Sequence, residues 1–254
     1  MNFQDTQLIG VLARAESTVS SLSSLLGGLV EKFAARGYSL YLVGGSVRDA
    51  LLGRLGNDLD FTTPARPDVV KEILDEWAET VWDTGIDFGT VSAAYKGQQI
   101  EITTFRSDSY DGQSRNPEVV YGDTLEGDLV RRDFKANAMA IELLADASFK
   151  FHDPLHGLQD IADRVLDTPD KPEISFHDDP LRMLRAARFA SQLEFRVADR
   201  VVDAMRDMAG EIQRITVERV QVELDKLICG TAPWDGIDLL VSTGIADYIF
   251  PEIP

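Results

Sequence analysis

Through the first 150 positions, short runs of alternating apolar and polar residues are separated by glycine-rich and charged stretches. Ser39–Val43, Leu59–Thr63, Thr90–Tyr95 and Gln99–Phe105 are rich in β-branched and aromatic residues, a pattern that predicts strands. Pro67–Trp82 reads instead as a helix: Val69, Val70, Ile73, Leu74 and Trp77 recur at helical spacing, and Pro67 suits a first helical turn. Beyond this the texture changes. A turn-rich stretch, His152–Pro172, leads into helical segments around Pro180–Leu193, Ala198–Ala209 and Val217–Cys229. The chain therefore reads as an α/β (α+β) head over residues 1–150, with a helical lead-in over 1–37 and a mixed or antiparallel sheet. An all-helical region over 151–254 follows.

Composition leaves this picture intact: 254 residues, 44% hydrophobic and 27% charged, are enough to bury a sizeable core. A single cysteine, Cys229, excludes an internal disulfide framework and a four-cysteine zinc site. No apolar run approaches the ~20 residues that span a bilayer. The N-terminal MNFQDTQLIG lacks the basic start of a signal peptide, so a cytoplasmic location and no membrane partner are expected. Charge changes the picture more. With 25 Lys+Arg against 43 Asp+Glu, the net charge of −18 argues as a sum against a nucleic-acid partner. Locally it does not: from Arg182 to Arg200, five arginines meet only Glu194 and Asp199. A polyanion would then be bound weakly, with strong salt dependence and help from Mg²⁺.

The sharpest local feature is Leu42-Val43-Gly44-Gly45-Ser46-Val47-Arg48-Asp49, followed by Asp58-Leu59-Asp60-Phe61. A strand ends in Gly-Gly, a short helix begins, and a second strand carries two carboxylates. Alternation along a strand puts Asp58 and Asp60 on one face. Two hard oxygen ligands beside the N–H groups of a helix start suit Mg²⁺ held together with a triphosphate. Ile100-Glu101-Ile102 offers a third carboxylate, turned away from its apolar neighbours, and three converging carboxylates can hold two metals. A lone Gly-Gly is most often a turn and a lone Asp-x-Asp a solvated cap. Here both aspartates lie within an apolar strand at a set distance from Gly-Gly.

Two arginine-rich segments follow. Arg131-Arg132-Asp133 sets two guanidinium groups, suited to bidentate phosphate binding, beside a carboxylate that can accept from a ribose hydroxyl. A surface ion pair at a helix start is the bland alternative. In Asp178-Asp179-Pro180-Leu181-Arg182, Asp179 can cap a helix opened by Pro180, and Arg182, Arg185 and Arg188 adjoin at steps of three. One acceptor beside fixed donors matches the Watson–Crick edges of cytosine and adenine. It fits guanine and uracil badly, because their exocyclic oxygen reverses the donor.

The Gly-Gly, Asp-x-Asp and later carboxylate resemble the DNA polymerase β-type nucleotidyltransferase superfamily. The ordered set LVGGSVRDALLG with DLDF, TGIDFGTV, IEITTFR, YDGQSRNP, LEGDLVRRDFKANAMAIEL, DPLHGLQDI, DDPLRMLRAARFA and ERVQVELDKL narrows this. It resembles the class II tRNA nucleotidyltransferases, the CCA-adding enzymes, and their relatives the bacterial poly(A) polymerases. The resemblance covers roughly residues 38–254. It implies a nucleotidyltransferase head with a helical neck, and Mg²⁺-dependent addition of C, C and A to the tRNA 3′ end from CTP and ATP. Asp58 and Asp60 would hold the metal, with Glu101 as third carboxylate. Gly44, Gly45, Arg48 and Arg132 would contact the nucleotide, and Asp133 would lie near the ribose. Asp179 and Arg182 would select the base, supported by Arg185 and Arg188. Glu218 and Arg219 would brace the neck helices, and Tyr110–Pro117 would be a flexible loop. A poly(A) polymerase, a CC- or A-adding enzyme, and a nucleotide-binding fragment without turnover remain alternatives, and the oligomeric state is open.

The sequence departs from the family at Asp178, usually Glu, and at Lys135, often Thr. It also stops at Phe250-Pro251-Glu252, where members continue into tRNA-holding helices, which suggests a truncated chain or a short member. His152-Asp153-Pro154-Leu155-His156 has metal-like spacing, but Pro154 argues against a continuous helix, and three histidines are too few for a His-Asp phosphohydrolase. Cys229, Trp77, Trp82 and Trp234 read as packing residues.

Overall fold

The computed structural model describes residues 3–109 and 118–250. Two compact units emerge: one runs to Arg132 and resumes over Ala136–Ala162, the other takes Asp133–Lys135 and continues from Asp163.

The first unit, the head, opens with a long helix α1 (Phe3–Ala35), then β1 (Leu40–Val43), α2 (Gly44–Leu51), β2 (Asp58–Thr63), α3 (Pro67–Asp75) and β3 (Thr80–Trp82). It continues with β4 (Thr90–Tyr95), β5 (Gln98–Thr104), β6 (Arg106–Ser109), β7 (Glu118–Tyr121), α4 (Leu125–Val130), β8 (Ala140–Leu143), β9 (Phe149–His152) and α5 (Gly157–Asp163). Seven strands form one sheet in the order β3-β4-β5-β2-β1-β8-β9, in which only β2 and β5 run parallel. The sheet is thus mixed. Along β2, Leu59 and Phe61 are buried while Asp58 and Asp60 face solvent, so alternation alone separates core from chemistry. Leu22, Leu26, Leu29 and Phe33 on α1 recur three and four apart and are buried, and that stripe lets α1 pack on α2 and α3.

The stretch expected as one helix over Pro67–Trp82 divides. Helix α3 ends at Asp75, where the Trp77 and Ala78 N–H groups turn back to the Leu74 carbonyl at 3.0 and 2.8 Å. Thr80–Trp82 then becomes an edge strand paired with Ser92–Ala94 of β4. β-Branched Thr80 and Val81 with an open sheet edge to pair outweigh the helical spacing, which ends at Trp77 stacked on Tyr95, centroids 3.9 Å apart. The expected turn-rich segment also holds α5, because Asp153 accepts the Gly157 and Leu158 N–H groups at 2.7 and 3.0 Å and starts it. β6 and β7 pair as a separate two-stranded ribbon, and the Tyr110–Pro117 segment between them lies outside the described residues.

The second unit comprises β10 (Val165–Leu166), α6 (Pro172–Asp178), α7 (Leu181–Leu193), β11 (Arg196–Val197), α8 (Asp199–Asp207), α9 (Val217–Ile228), α10 (Pro233–Ser242) and α11 (Ala246–Ile249). It is helical apart from the short parallel pair β10–β11. Helix α7 is its centre, with α9 and α10 packed on it. A Cβ at Gly236 of α10 would stand 2.6 Å from the Ala187 carbonyl oxygen, so only glycine permits this approach of α10 to α7. Two residues expected in the packing are not there. Cys229 is exposed, one position past the end of α9. Trp234 is 77% exposed, because α10 buries the side carrying Gly236 and Leu240, roughly 200° round the helix from Trp234. Among the described residues no helix is long and apolar enough to cross a membrane.

Gly236→Ala should force α10 off α7 and cost about 1–3 kcal/mol, read as a lower Tm in thermal unfolding. Gly27→Ala in α1, whose added methyl meets nothing within 4 Å, should instead stabilise by about 0.5–1 kcal/mol. Equal shifts for the two variants would refute the assignment of Gly236 to a close helix crossing.

Candidate active site

In the head, the end of β1 and the start of α2 are sewn to β2 by one hydroxyl. Ser46 Oγ accepts the Asp60 N–H at 2.9 Å and approaches the Asp58 carbonyl at 3.4 Å. The Gly-Gly turn is thereby held against the strand that carries the two aspartates. Gly44 has φ +66°, and a Cβ there would lie 2.9 Å from Arg132 NH1 and 3.8 Å from Asp60 Oδ2. Glycine is required at Gly44 both for its backbone and for the guanidinium that lies over it.

Parallel pairing of β2 with β5 sets Asp60 in register with Glu101 and Asp58 with Gln99. Desolvation and then the Glu101 carboxylate push the Asp60 carboxyl above its ordinary value; Arg132 opposes this, Asp58 adds to it, and Arg48 opposes it. Among the described residues no three carboxylate, histidine or cysteine groups converge tightly enough to hold a metal alone. Asp58 and Asp60, outward on one face, suit an ion that takes one or two carboxylates and completes its shell from substrate phosphates and water, as Mg²⁺ does. Glu101 adds negative potential beside them.

Arg132 is the stronger of the two cations acting on Asp60, and a carboxylate not singled out by sequence holds it there. Asp128, fully buried in α4, accepts from Arg132 NH2 at 2.8 Å and from Arg131 Nε and NH2 at 3.2 and 3.0 Å. Burial alone would raise the Asp128 carboxyl; the two guanidiniums outweigh it and hold it below its ordinary value. Arg132 Nε is buried with no hydrogen-bond partner among the described residues, an orphan donor that an anionic oxygen would satisfy. Arg48 is engaged differently. It is buried, grips Asp49 through Nε and NH2 at 3.0 and 2.9 Å, donates to Asn137 Oδ1 at 2.7 Å, and lies over Gly45.

In the helical unit, Asp133 is buried and accepts from Arg185 Nε at 2.7 Å. Arg185 NH1 lies 3.9 Å from buried Glu223, which also meets Arg188 Nε at 3.2 Å. Arg188 is itself buried, its guanidinium 4.2 Å from the Phe189 ring centroid, so it packs within the unit. At the start of α7, Asp179 Oδ1 accepts the Leu181 N–H at 3.1 Å, and Arg182 NH1 donates to Ser175 Oγ at 2.8 Å. Asp179 Oδ2 accepts from Arg219 NH2 at 2.9 Å. Ser46, Asp128, Ser175 and Glu223 went unassigned in the sequence; a Ser or Asp near a suspected site carries no sign of what it will bond.

The His152–His156 motif resolves into structure. Asp153 caps α5, and His152 Nε2 lies 3.2 Å from Glu142 Oε2. Lys135 donates to Asp167 Oδ2 at 2.7 Å, and Arg200 Nε reaches Oδ1 of the same carboxylate at 2.7 Å.

Comparison with known proteins adds to this geometry. The family model described as the poly A polymerase head domain matches residues 40–167, and one described as a probable RNA and SrmB-binding site of polymerase A matches residues 194–254. A CCA-adding enzyme of Listeria innocua is 40% identical over 222 residues, 87% of this chain and 54% of that protein. The crystal structure of the Bacillus stearothermophilus CCA-adding enzyme in complex with CTP aligns at TM-score 0.78 and 35% identity, over 89% of this chain and 53% of that one. A tRNA nucleotidyltransferase complexed with a primer tRNA and an incoming ATP analog aligns at TM-score 0.72 and 26% identity, over 91% and 62%. The chain spans about half the length of the curated relatives it matches.

Because Asp128 is held ionised, its pairing stabilises the fold above the unfolded-state pKa of about 3.9 and the contribution is lost as pH falls through the lower folded value. Asp128→Asn should cost about 3 kcal/mol in urea unfolding at pH 7 and clearly less at pH 3. A cost independent of pH would refute the ionic role. Gly44→Ala should lower stability by about 1–2 kcal/mol from its backbone alone, and a Tm equal to wild type would contradict the positive φ.

Proposed function

The chain belongs to the poly(A) polymerase head-domain family, and we propose that it is a nucleotidyltransferase that adds C, C and A to the tRNA 3′ end from CTP and ATP, without a nucleic-acid template and with release of pyrophosphate. The observation that carries this reading is the register of Asp60 with Glu101, beside Asp58 and under the Arg132 guanidinium. Likeness to CCA-adding enzymes supports the finer choice of substrate. A cytoplasmic location accompanies it.

Asp58 and Asp60 would hold Mg²⁺, which when bound supplies acidity to a coordinated hydroxyl and neutralises charge on the phosphates. The chain's own residues do the rest. The primer 3′-oxygen attacks the α-phosphorus, a new P–O bond forms as the bond to the β-phosphate oxygen breaks, and the 3′-hydroxyl proton leaves with a base or water. Arg132, oriented by Asp128, supplies its unpaired Nε–H to a triphosphate oxygen. Asp133, fixed by Arg185, accepts from a ribose hydroxyl. Asp179 accepts from the exocyclic amino group of cytosine or adenine, and Arg182 donates to the ring acceptors. Guanine and uracil present an oxygen to Asp179 and leave it unpaired, a mismatch that rejects them. Arg48 acts from behind Gly45 by holding α2 to Asn137.

Incubation with tRNA lacking its 3′ CCA, CTP, ATP and Mg²⁺ should extend the primer by three residues of defined sequence. Asp60→Ala should reduce the rate roughly a thousandfold or more. Retained activity in that variant would sink the mechanism, a long A tract would favour a poly(A) polymerase, and nucleotide binding without incorporation would favour a binding module.

A further inference from the structure

Arg219 was expected to brace the helices, yet its guanidinium is spent on one oxygen of the carboxylate proposed to read the base. It stands in the first turn of α9, a helix packed on α7, and donates through NH2 to Asp179 Oδ2 at 2.9 Å. The other oxygen of Asp179 is already committed to the Leu181 N–H at 3.1 Å. Held at both oxygens, the carboxylate cannot rotate about its Cβ–Cγ bond, and each oxygen keeps a lone pair for a further donor. The Asp179 side chain is 25% exposed and that of Arg219 52%, so the clamp is on the solvent side and its loss opens no cavity. Arg182 is held by Ser175, which is buried in α6, and not by Arg219. One base-reading side chain thus has a partner on α6 and the other a partner on α9.

We propose that Arg219 is a positioning residue that sets nucleotide selectivity: it fixes the plane of the Asp179 carboxylate so that an exocyclic amino group is accepted and an exocyclic oxygen is left facing an acceptor. This rests on the assignment of Asp179 to base reading. A freed carboxylate can turn aside from an oxygen and let Arg182 donate to it, which weakens the penalty against uracil and guanine. Selectivity then falls because cognate nucleotides lose an oriented acceptor while non-cognate ones lose a clash.

The test compares wild type, Arg219→Gln, Arg219→Lys and, as a surface control, Arg206→Gln. Kinetics would be measured with each of CTP, ATP, UTP and GTP on tRNA lacking CCA, alongside the thermal melting of each protein. Arg219→Gln should melt near wild type and lower the CTP-over-UTP ratio of kcat/KM roughly tenfold or more, with KM for tRNA unchanged. Arg219→Lys should recover part of the ratio, since one ammonium can reach one oxygen without the planar fork. Arg206→Gln should leave it unmoved. A uniform loss across all four nucleotides with the ratio intact, or a ratio that follows Tm, would make Arg219 a structural brace and overturn the inference. Wild type that incorporates no nucleotide would instead overturn the functional reading beneath it.

Discussion

Like-charge crowding at the start of β2 is the constraint on which the rest of the head depends. Parallel pairing brings Glu101 beside Asp60 and alternation brings Asp58 to the same face; desolvation first, and then these like charges, leave Asp60 with a carboxyl that gives up its proton less readily than an ordinary one. Such a cluster is tolerated because cations are fixed near it. Arg132 cannot be placed there by its own flexible stem; it is drawn in by Asp128, which in turn could not stay ionised in the interior without Arg131 and Arg132. The missing side chain of Gly44 leaves the space the guanidinium occupies. Ser46 then locks the turn to the strand, so a misplaced loop would disturb charge balance as well as shape.

The helical unit applies the same rule with less repulsion to manage. Asp133, Arg185, Glu223 and Arg188 alternate in sign along one chain of contacts, three of them buried. Removing Arg185 would take from the buried Asp133 carboxylate the guanidinium that faces it, and breaking such a buried pair costs more than the pair contributes. Helix α7 carries two of the four, and the close approach of α10 at Gly236 fixes where they stand. Orientation of the α7 N-terminus, where Asp179 and Arg182 lie, therefore derives from packing at the middle of the helix.

Local periodicity made part of this legible. Asp-Leu-Asp within an apolar strand has one geometric consequence, and the outward pair at Asp58 and Asp60 follows from it. The partner of Asp60 is a matter of register between strands some forty residues apart in the chain, which no local pattern encodes. Buried Asp128 and exposed Asp123 look alike in sequence, since only tertiary contact distinguishes a held carboxylate from a solvated one. Apolar spacing over Pro67–Trp82 carried no mark of where the helix stops, because pairing with β4 decides it. Trp234 and Cys229 misled in the opposite direction, as residue type outvoted helical phase.

The arginines between Arg182 and Arg200 bear on the acidity of the chain. As a count they form a basic stretch; in the fold Arg185, Arg188, Arg196 and Arg200 meet Asp133, Glu223, Asp199 and Asp167, and Arg182 meets Ser175. The pairs are not equal. Arg196 with Asp199 is solvent-exposed on both sides and worth little, so a passing phosphate could replace the carboxylate. Arg188 with Glu223 is buried, and no phosphate can compete for it without unfolding the unit locally. The stretch is therefore far less basic toward a polyanion than its composition suggests, and counterion release from it can supply only a small part of any binding free energy. Under the proposed function, binding would then draw mainly on oriented contacts of the kind Arg132 and Asp179 would make, where geometry rather than net charge discriminates.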